Sequence, residues 1–308
     1  MVHTKQNFSR RMRAYLDEMF PIPRHLAMSA LLYLSFVTFL ARIHGIRPSL
    51  LSFHSVSGLL SIFSFLLILR LMDELKDKEI DQELFCDRPL PSGRVFESDI
   101  KLSLSFVIGC YLLVNVWMGN AFFMALGLLC YALLMFKFFF IPRILKRYLL
   151  LNLATHNPVM ALLHLYIVFV FSAEHHLSMK QIHWPLTLLL IIMYWSMLFA
   201  WEIARKIRSK EEENAYVTYS QILGRRGAVL LAGGAQTLTF AIGLYLYLGL
   251  SLSPAFPVLM AIGYGRAIWA HIRFIFNPTP ISSKLKPFAE QYILAVLLAR
   301  LLDYIIRG

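Results

Sequence analysis

Charged side chains are scarce in this sequence: they make up 16% of its 308 residues, and acids are rarer than bases, 18 Asp+Glu against 30 Lys+Arg. A soluble domain carries about a quarter charged residues and is about half apolar. Here 58% of the chain is hydrophobic, more than the remaining polar surface could cover in water. That excludes a cytosolic enzyme and a disordered regulator. Cysteine is nearly absent as well. Cys86, Cys110 and Cys130 are too few and too far apart for a disulfide-stapled secreted module. Cys110 and Cys130 lie inside apolar runs and are expected as buried small hydrophobes. No apolar stretch precedes His25, which argues against a cleavable signal peptide, and no organelle transit signal is visible, which points to a bacterial inner membrane. Solenoid repeats, low-complexity tracts and flexible linkers are also missing. One integral membrane domain over 1–308, opening with a basic segment 1–24, is the expected organisation.

What the chain has in abundance is apolar runs of the length a membrane helix needs, roughly 20 residues. Nine occur, at approximately 25–42, 50–72, 98–117, 120–140, 151–173, 185–204, 227–250, 254–276 and 287–306. The fourth carries Lys137, and the fifth contains Asn157-Pro158, where a kink is expected. The formal charge of +12 would suggest nucleic acid in a soluble protein, but the cations sit at the ends of these runs and no basic face is formed, so no nucleic-acid partner is expected. They also alternate from loop to loop. The N-terminal tail (Lys5, Arg10, Arg11, Arg13, Arg24), the loop with Lys76, Lys78, Arg88 and Arg94, the loop with Arg143, Lys146 and Arg147, the stretch from Arg205 to Arg226, and Lys284 with Lys286 are basic. The loops between them are nearly uncharged. By the positive-inside rule the N-terminus is cytoplasmic and, after nine crossings, the C-terminus is outside.

Acids are costly in a membrane protein, so their placement is informative. Nine of the 18 lie between Asp73 and Asp99, starting where the second run ends. Asp73, Asp77 and Asp81 stand at i, i+4 and i+8, which would place them on one stripe of a helix. Three stacked carboxylates repel unless a cation sits among them, and Mg2+, which takes oxygen ligands and bridges to phosphates, answers that need. An ordinary charged helix end, with Lys76 and Lys78 pairing the aspartates, accounts for the spacing equally well. Downstream, Asp87-Arg88-Pro89-Leu90-Pro91-Ser92-Gly93-Arg94 is a rigid turn with two guanidinium forks of the kind that suit phosphate; read alone, such a loop is also a plain connector. A second polar cluster runs from Trp201-Glu202 through Arg205, Lys206 and Arg208 to Glu211, Glu212 and Glu213. Glu202 is either a second metal ligand or the partner of Arg205 and Lys206 at i+3 and i+4. Both clusters fall on the cytoplasmic side by an argument that did not use them. Carboxylates for metal and cations for phosphate beside an apolar interior suit a substrate with an anionic head and a greasy tail.

At these residues the sequence resembles the UbiA superfamily of intramembrane prenyltransferases. That family's first motif, Asn-x3-Asp-x3-Asp followed by Arg-Pro-x-Pro-Ser-Gly, is matched by Asp73, Asp77 and Asp81 and then Arg88-Pro89-Leu90-Pro91-Ser92-Gly93, with aspartate in place of asparagine. Tyr131, Leu145-Lys146-Arg147 and Asn152, and Thr218 to Gly224, are similar to further family segments. The resemblance implies nine transmembrane helices around a central cavity, and a Mg2+-dependent enzyme. Its aspartates, with Glu202, would hold metal on a prenyl diphosphate. Arg88, Lys146, Arg147, Arg205 and Lys206 would hold the phosphates, Tyr131 and Asn152 would line the cavity, and a lipid-soluble or aromatic acceptor would capture the allylic cation. The departure is at the second motif, where aspartates at x3 spacing are replaced by Glu202, Arg205 and Lys206; there the second metal is missing or replaced by cations. Divergent members include terpene cyclases and a phospho-sugar transferase, which stay open as alternatives, while acids at one rim and a single broken helix argue against a transporter. His156, Asn157, His164, Gln236, Arg266 and His271 either line the cavity or make helix–helix hydrogen bonds.

Overall fold

The computed structural model describes residues 7–213 and 216–307; Lys5, counted above among the N-terminal cations, lies outside them. Among the described residues the chain is all-helical. In order, the helices are α1 (Phe8–Met19), α2 (Ile22–His44), α3 (Phe53–Lys76), α4 (Lys78–Leu84), α5 (Glu97–Asn115), α6 (Asn120–Phe136), α7 (Pro142–Arg147), α8 (Leu149–His156), α9 (Pro158–Glu174), α10 (Trp184–Ala204), α11 (Tyr219–Leu250), α12 (Ala255–Phe276) and α13 (Lys286–Arg307). Five helical segments are long and apolar enough to cross a membrane: α2, α3, α8 with α9, α10 and α11. The other four apolar runs of the sequence are the helices α5, α6, α12 and α13.

Helix ends follow local chemistry. Ser52 caps α3 by accepting from Ser55 N at 3.0 Å, satisfying a donor that the first turn leaves open. The expected kink falls at Asn157, between α8 and α9, because Pro158 has no N–H for the helical ladder. The fourth run is shorter than expected: α6 stops at Phe136, Lys137 ends it, and Phe138, Phe139 and Phe140 take positive φ of 49°, 48° and 60°. Pro142 follows closely, and the residue before a proline is pushed out of helical geometry. The cysteines are free, and the expectation that two are buried is corrected: Cys130 is exposed and Cys110 partly so. Both lie on apolar helices whose outer faces meet lipid in a bilayer, a medium as apolar as a core.

The described chain forms two compact units. In the first, Met1–Tyr33 with Leu50–Pro142, α3 packs on α5 and α6. A small core of Met12, Tyr15, Leu71, Leu90, Val95 and Ile100 pins α1 and the loop before α5 to the end of α3. In the second, Leu34–Ser49 with Arg143–Gly308, α10 packs on α9, α11 and α13, and α12 on α11 and α13. The α12–α13 approach depends on Gly263, where an added Cβ would stand 2.6 Å from Ala295 Cβ. A core of Ile203, Ile207, Tyr219, Ala228, Phe274 and Leu285 sits under the polar loop that follows α10.

Candidate functional site

In the first unit the acidic stretch leaves the end of α3. Helical backbone bonds continue through it, with Asp77 N donating to Asp73 O and Asp81 N to Asp77 O, both at 2.9 Å. Asp77 itself departs from helical geometry (φ −98°, ψ 8°) and divides α3 from α4. The expected single stripe is therefore corrected to three different environments: Asp73 exposed, Asp77 half-buried and Asp81 5% exposed. The buried member is neutralised by Arg88. That guanidinium uses Nη1 on both Asp81 oxygens, at 2.8 and 2.7 Å, and lies 4.0 Å from the centre of the Phe85 ring. The turn that delivers Arg88 closes through Ser92 N to Arg88 O at 3.0 Å, with Gly93 at φ 74°. Arg94 instead binds Glu18, at 2.7 and 3.2 Å, and Asp87 O at 2.6 Å. The Glu18 bonds raise its pKa above the ordinary arginine value.

The sequence reading passed over three charged pairs in this unit. Arg70 pairs with Glu74, which is 2% exposed, one turn before the aspartates, and Arg11 binds Asp99 through two bonds of 2.7 Å. Lys78 Nζ reaches Glu97 at 2.7 Å and so ties α4 to α5. The i, i+4 spacing of Arg70 and Glu74 at the end of an apolar run is a signal that would have found the first pair. Tyr131, on α6, is partly buried with its ring 5.6 Å from that of Phe139.

In the second unit Glu202 stands in the last turn of α10. Its carboxylate accepts from Arg205 Nε at 2.5 Å and Nη2 at 2.9 Å, with Lys206 Nζ at 3.5 Å. Of the two roles left open for it, the structure displays the pairing with Arg205 and Lys206. The Arg205 guanidinium lies 5.4 Å from the Trp201 ring, and the Lys206 ammonium 5.9 Å from those of Tyr216 and Tyr219. Thr218 begins α11 with a capping box shared with Gln221. Six residues on, Gly224 takes φ 68° and ψ 162°, a conformation essentially reserved for glycine, which gives the Thr-x5-Gly spacing a physical reason. A cavity of about 380 Å³ in this loop is lined by the cations Arg208, Lys210 and Arg225 and the acids Glu211 and Glu213. Lys146 and Arg147, at the end of α7, are exposed, and Asn152 on α8 accepts from His156 Nδ1 at 2.9 Å through its backbone oxygen. Of the other intramembrane polar groups, His164 bonds within its own helix, to Met160 O at 2.6 Å, whereas Asn157 Oδ1, both side-chain polar atoms of Gln236 and His271 Nδ1 are buried without a hydrogen-bond partner among the described residues. Arg266 reaches across to Gln291 on α13 at 3.1 Å.

Among the described residues no three His, Cys, Asp or Glu side chains converge on a point that could hold a metal ion. Mg2+ does not require such a cage, since it keeps several waters and is held by one or two carboxylates together with substrate phosphates. The hard oxygen donors of Asp73 and Asp77 fit that mode. Glu202, engaged by two cations, fits it poorly.

The model of a family described as the UbiA prenyltransferase family matches residues 27–288. Two solved structures are similar in fold. One, of digeranylgeranylglyceryl phosphate synthase, is 16% identical, with 96% of this chain and 99% of that one covered and a TM-score of 0.66. The other, the apo structure of a UbiA homolog from Aeropyrum pernix K1, is 13% identical, with 90% and 97% covered and a TM-score of 0.66. Comparison with curated proteins gives no match.

Proposed function

The chain belongs to the UbiA prenyltransferase family, a multi-pass integral membrane enzyme, and on that premise we propose that it transfers an isoprenyl group from a prenyl diphosphate to a lipid-soluble or aromatic acceptor. The observation that carries the proposal is the acidic run of Asp73, Asp77 and Asp81, in unbroken hydrogen-bond register off the end of a membrane helix, with Arg88 fixed beside it. Nine crossings, formed by the five long apolar segments with α5, α6, α12 and α13, put this run on the cytoplasmic side of what we take to be a bacterial inner membrane.

In the proposed reaction the allylic carbon–oxygen bond breaks and diphosphate leaves with the electron pair. A nucleophilic atom of the acceptor bonds to the carbon and loses its proton. Asp73 and Asp77 would hold Mg2+, which when bound supplies positive charge to the leaving diphosphate. Asp81 keeps the Arg88 guanidinium in place, and Arg88 binds phosphate oxygens. The apolar helices exclude water, which would otherwise capture the cation. Diphosphate release from geranyl, farnesyl and geranylgeranyl diphosphates, with and without Mg2+ and acceptor extract, tests the proposal. Acceptor-dependent release is expected, and Asp77→Asn should lower it by about a hundredfold or more with normal membrane insertion. Release at full rate without acceptor would replace transfer by cyclisation, and full activity of Asp77→Asn would remove the metal assignment.

A further inference from the structure

The outer face of α12 changes character halfway along. Val258 and Ile262 are exposed apolar residues of its first half, and from the middle onward Arg266, Trp269 and Arg273 are exposed on the same side, at spacings that return to one face of a helix. Arg266 stands at the centre of this 22-residue helix, where the nine-crossing reading puts hydrocarbon. In that reading α12 runs from the outside to the cytoplasm, so the two arginines and the tryptophan occupy its cytoplasmic half.

A guanidinium facing lipid is costly unless it finds an anion or reaches the headgroups. Arg266 makes one hydrogen bond among the described residues, from Nε to Gln291 Oε1 on α13 at 3.1 Å. Nη1 and Nη2 keep their donors, and the charge meets no carboxylate. Arg273 lies 5.5 Å from the Trp269 ring and likewise forms no ion pair among the described residues. The acid nearest to Gln291 along α13, Glu290, is engaged by Lys286 at 3.7 Å and by Trp201 Nε1 at 3.3 Å.

Beside Arg266 is a cavity of about 440 Å³ lined by Gly265, Arg266, Trp269 and Phe288. Gly265 leaves it open, since nothing lies within 4 Å of an added Cβ there. The rings of Trp269 and Phe288 stand 6.1 Å apart and give it an apolar wall. From Arg266 to the cytoplasmic end of α12 is about 15 Å along the axis, so an anion that reaches this guanidinium enters a largely apolar setting. A free phosphate has no apolar body to place there. A phospholipid has one, and its acyl chains would continue along Ile262 and Val258 while Trp269 sits at the level of the headgroup, where such rings collect.

We propose that the cavity between α12 and α13 binds an anionic phospholipid of the cytoplasmic leaflet, with Arg266 and Arg273 on its phosphate. The proposal rests on the nine-crossing topology and is independent of the transferase chemistry.

The test places the full-length protein in nanodiscs of phosphatidylcholine, with or without phosphatidylglycerol of the same chain length, beside Arg266→Leu, Arg273→Leu, the double variant and Gly265→Leu. Thermal unfolding is followed in each, and the lipid kept after transfer to neutral detergent is counted by native mass spectrometry. The wild type should keep phosphatidylglycerol in preference to phosphatidylcholine. Either arginine variant should lower that retention about fivefold and the double variant about twentyfold. Gly265→Leu, which keeps both charges and fills the cavity, should lower it as well. In phosphatidylcholine every variant should melt at least as high as wild type, and the rise that phosphatidylglycerol gives the wild type should be absent from the double variant. Equal retention of the two lipids, retention that the double variant or Gly265→Leu leaves unchanged, or an Arg266→Leu protein that melts well below wild type in phosphatidylcholine overturns the proposal. Release of the bound lipid by geranylgeranyl diphosphate would assign the cavity to substrate, and lipid-free dimers lost in the double variant would assign it to a second copy; either overturns it. Preferential retention in a protein that shows no prenyl transfer sinks the transferase reading and leaves this site standing, whereas an inverted topology removes the leaflet assignment and overturns it.

Discussion

Asp81 and Arg88 show how closely a candidate catalytic group can double as a structural one. Their side chains are 7% and 35% exposed, so the pair is half inside the protein, and removing one member strands the other. Arg88→Gln should destabilise the detergent-solubilised protein by about 2 kcal/mol, less than a fully buried pair because the guanidinium reaches water. Thermal unfolding followed by intrinsic fluorescence measures it. Asp77, which leaves helical geometry between α3 and α4, should tolerate Asn with little change in melting temperature. That contrast separates the two roles: a stability loss at Arg88 and an activity loss at Asp77. The sequence named both residues from spacing and turn chemistry, but the burial of Asp81 and the exposure of Asp73 were not legible. The burial of Asp81 goes with the position Arg88 takes once the loop closes.

At the level of elements, the segments around α11 are held by polar contacts that the apolar pattern does not display. Glu212, in the loop before α11, accepts from Ser283 Oγ at 2.5 Å and from Ser209 N and Oγ at 3.2 and 3.1 Å. Partial burial pushes its pKa up, but the bonds from Ser283 and Ser209 outweigh that and leave it below its ordinary value of 4.5. Its contribution to stability is therefore complete above that value and lost as pH falls through the lowered one. Unfolding measured against pH should show Ser283→Ala less stable than wild type at neutral pH, with the two curves converging in acid. Gly224→Ala should cost about 1–3 kcal/mol. Nothing lies within 4 Å of an added Cβ there, so the cost is the backbone conformation alone.

For the whole molecule, the second unit contains a buried charge network that links parts of the chain far apart in sequence. Arg300 pairs with Asp303 and donates to Thr38 O at 2.5 Å, while Asp303 accepts from Ser253 N at 2.5 Å. Arg300 and Asp303 are 2% and 1% exposed. Arg300→Met should lower stability by about 3–5 kcal/mol, and adding Asp303→Leu should recover part of it, the remainder being the lost acceptor for Ser253. Heat-induced aggregation of the four proteins closes that cycle. Membrane orientation has a test of similar directness. Cys86 is exposed in a loop assigned to the cytoplasmic side, so in a Cys110→Ser/Cys130→Ser background an impermeant maleimide should label inverted vesicles and leave spheroplasts unlabelled. The reverse pattern would invert the topology.

Apolar run length and loop charge alone determined that this is a helical membrane protein and where its long helices lie, because a bilayer imposes a length and a polarity on each segment independently of its neighbours. The Asn157-Pro158 break and the acidic and basic residues of the candidate site were legible for the same reason: each depends on local backbone chemistry or on a charge too costly to place in lipid at random. Tertiary structure alone decided which charges neutralise which. The pairing of Arg88 with Asp81 and of Arg300 with Asp303, and the bond from Tyr219 N to Lys206 O, depend on segments meeting after the helices pack. The energy of an ion pair is set by that distance and burial, neither of which spacing along the chain contains.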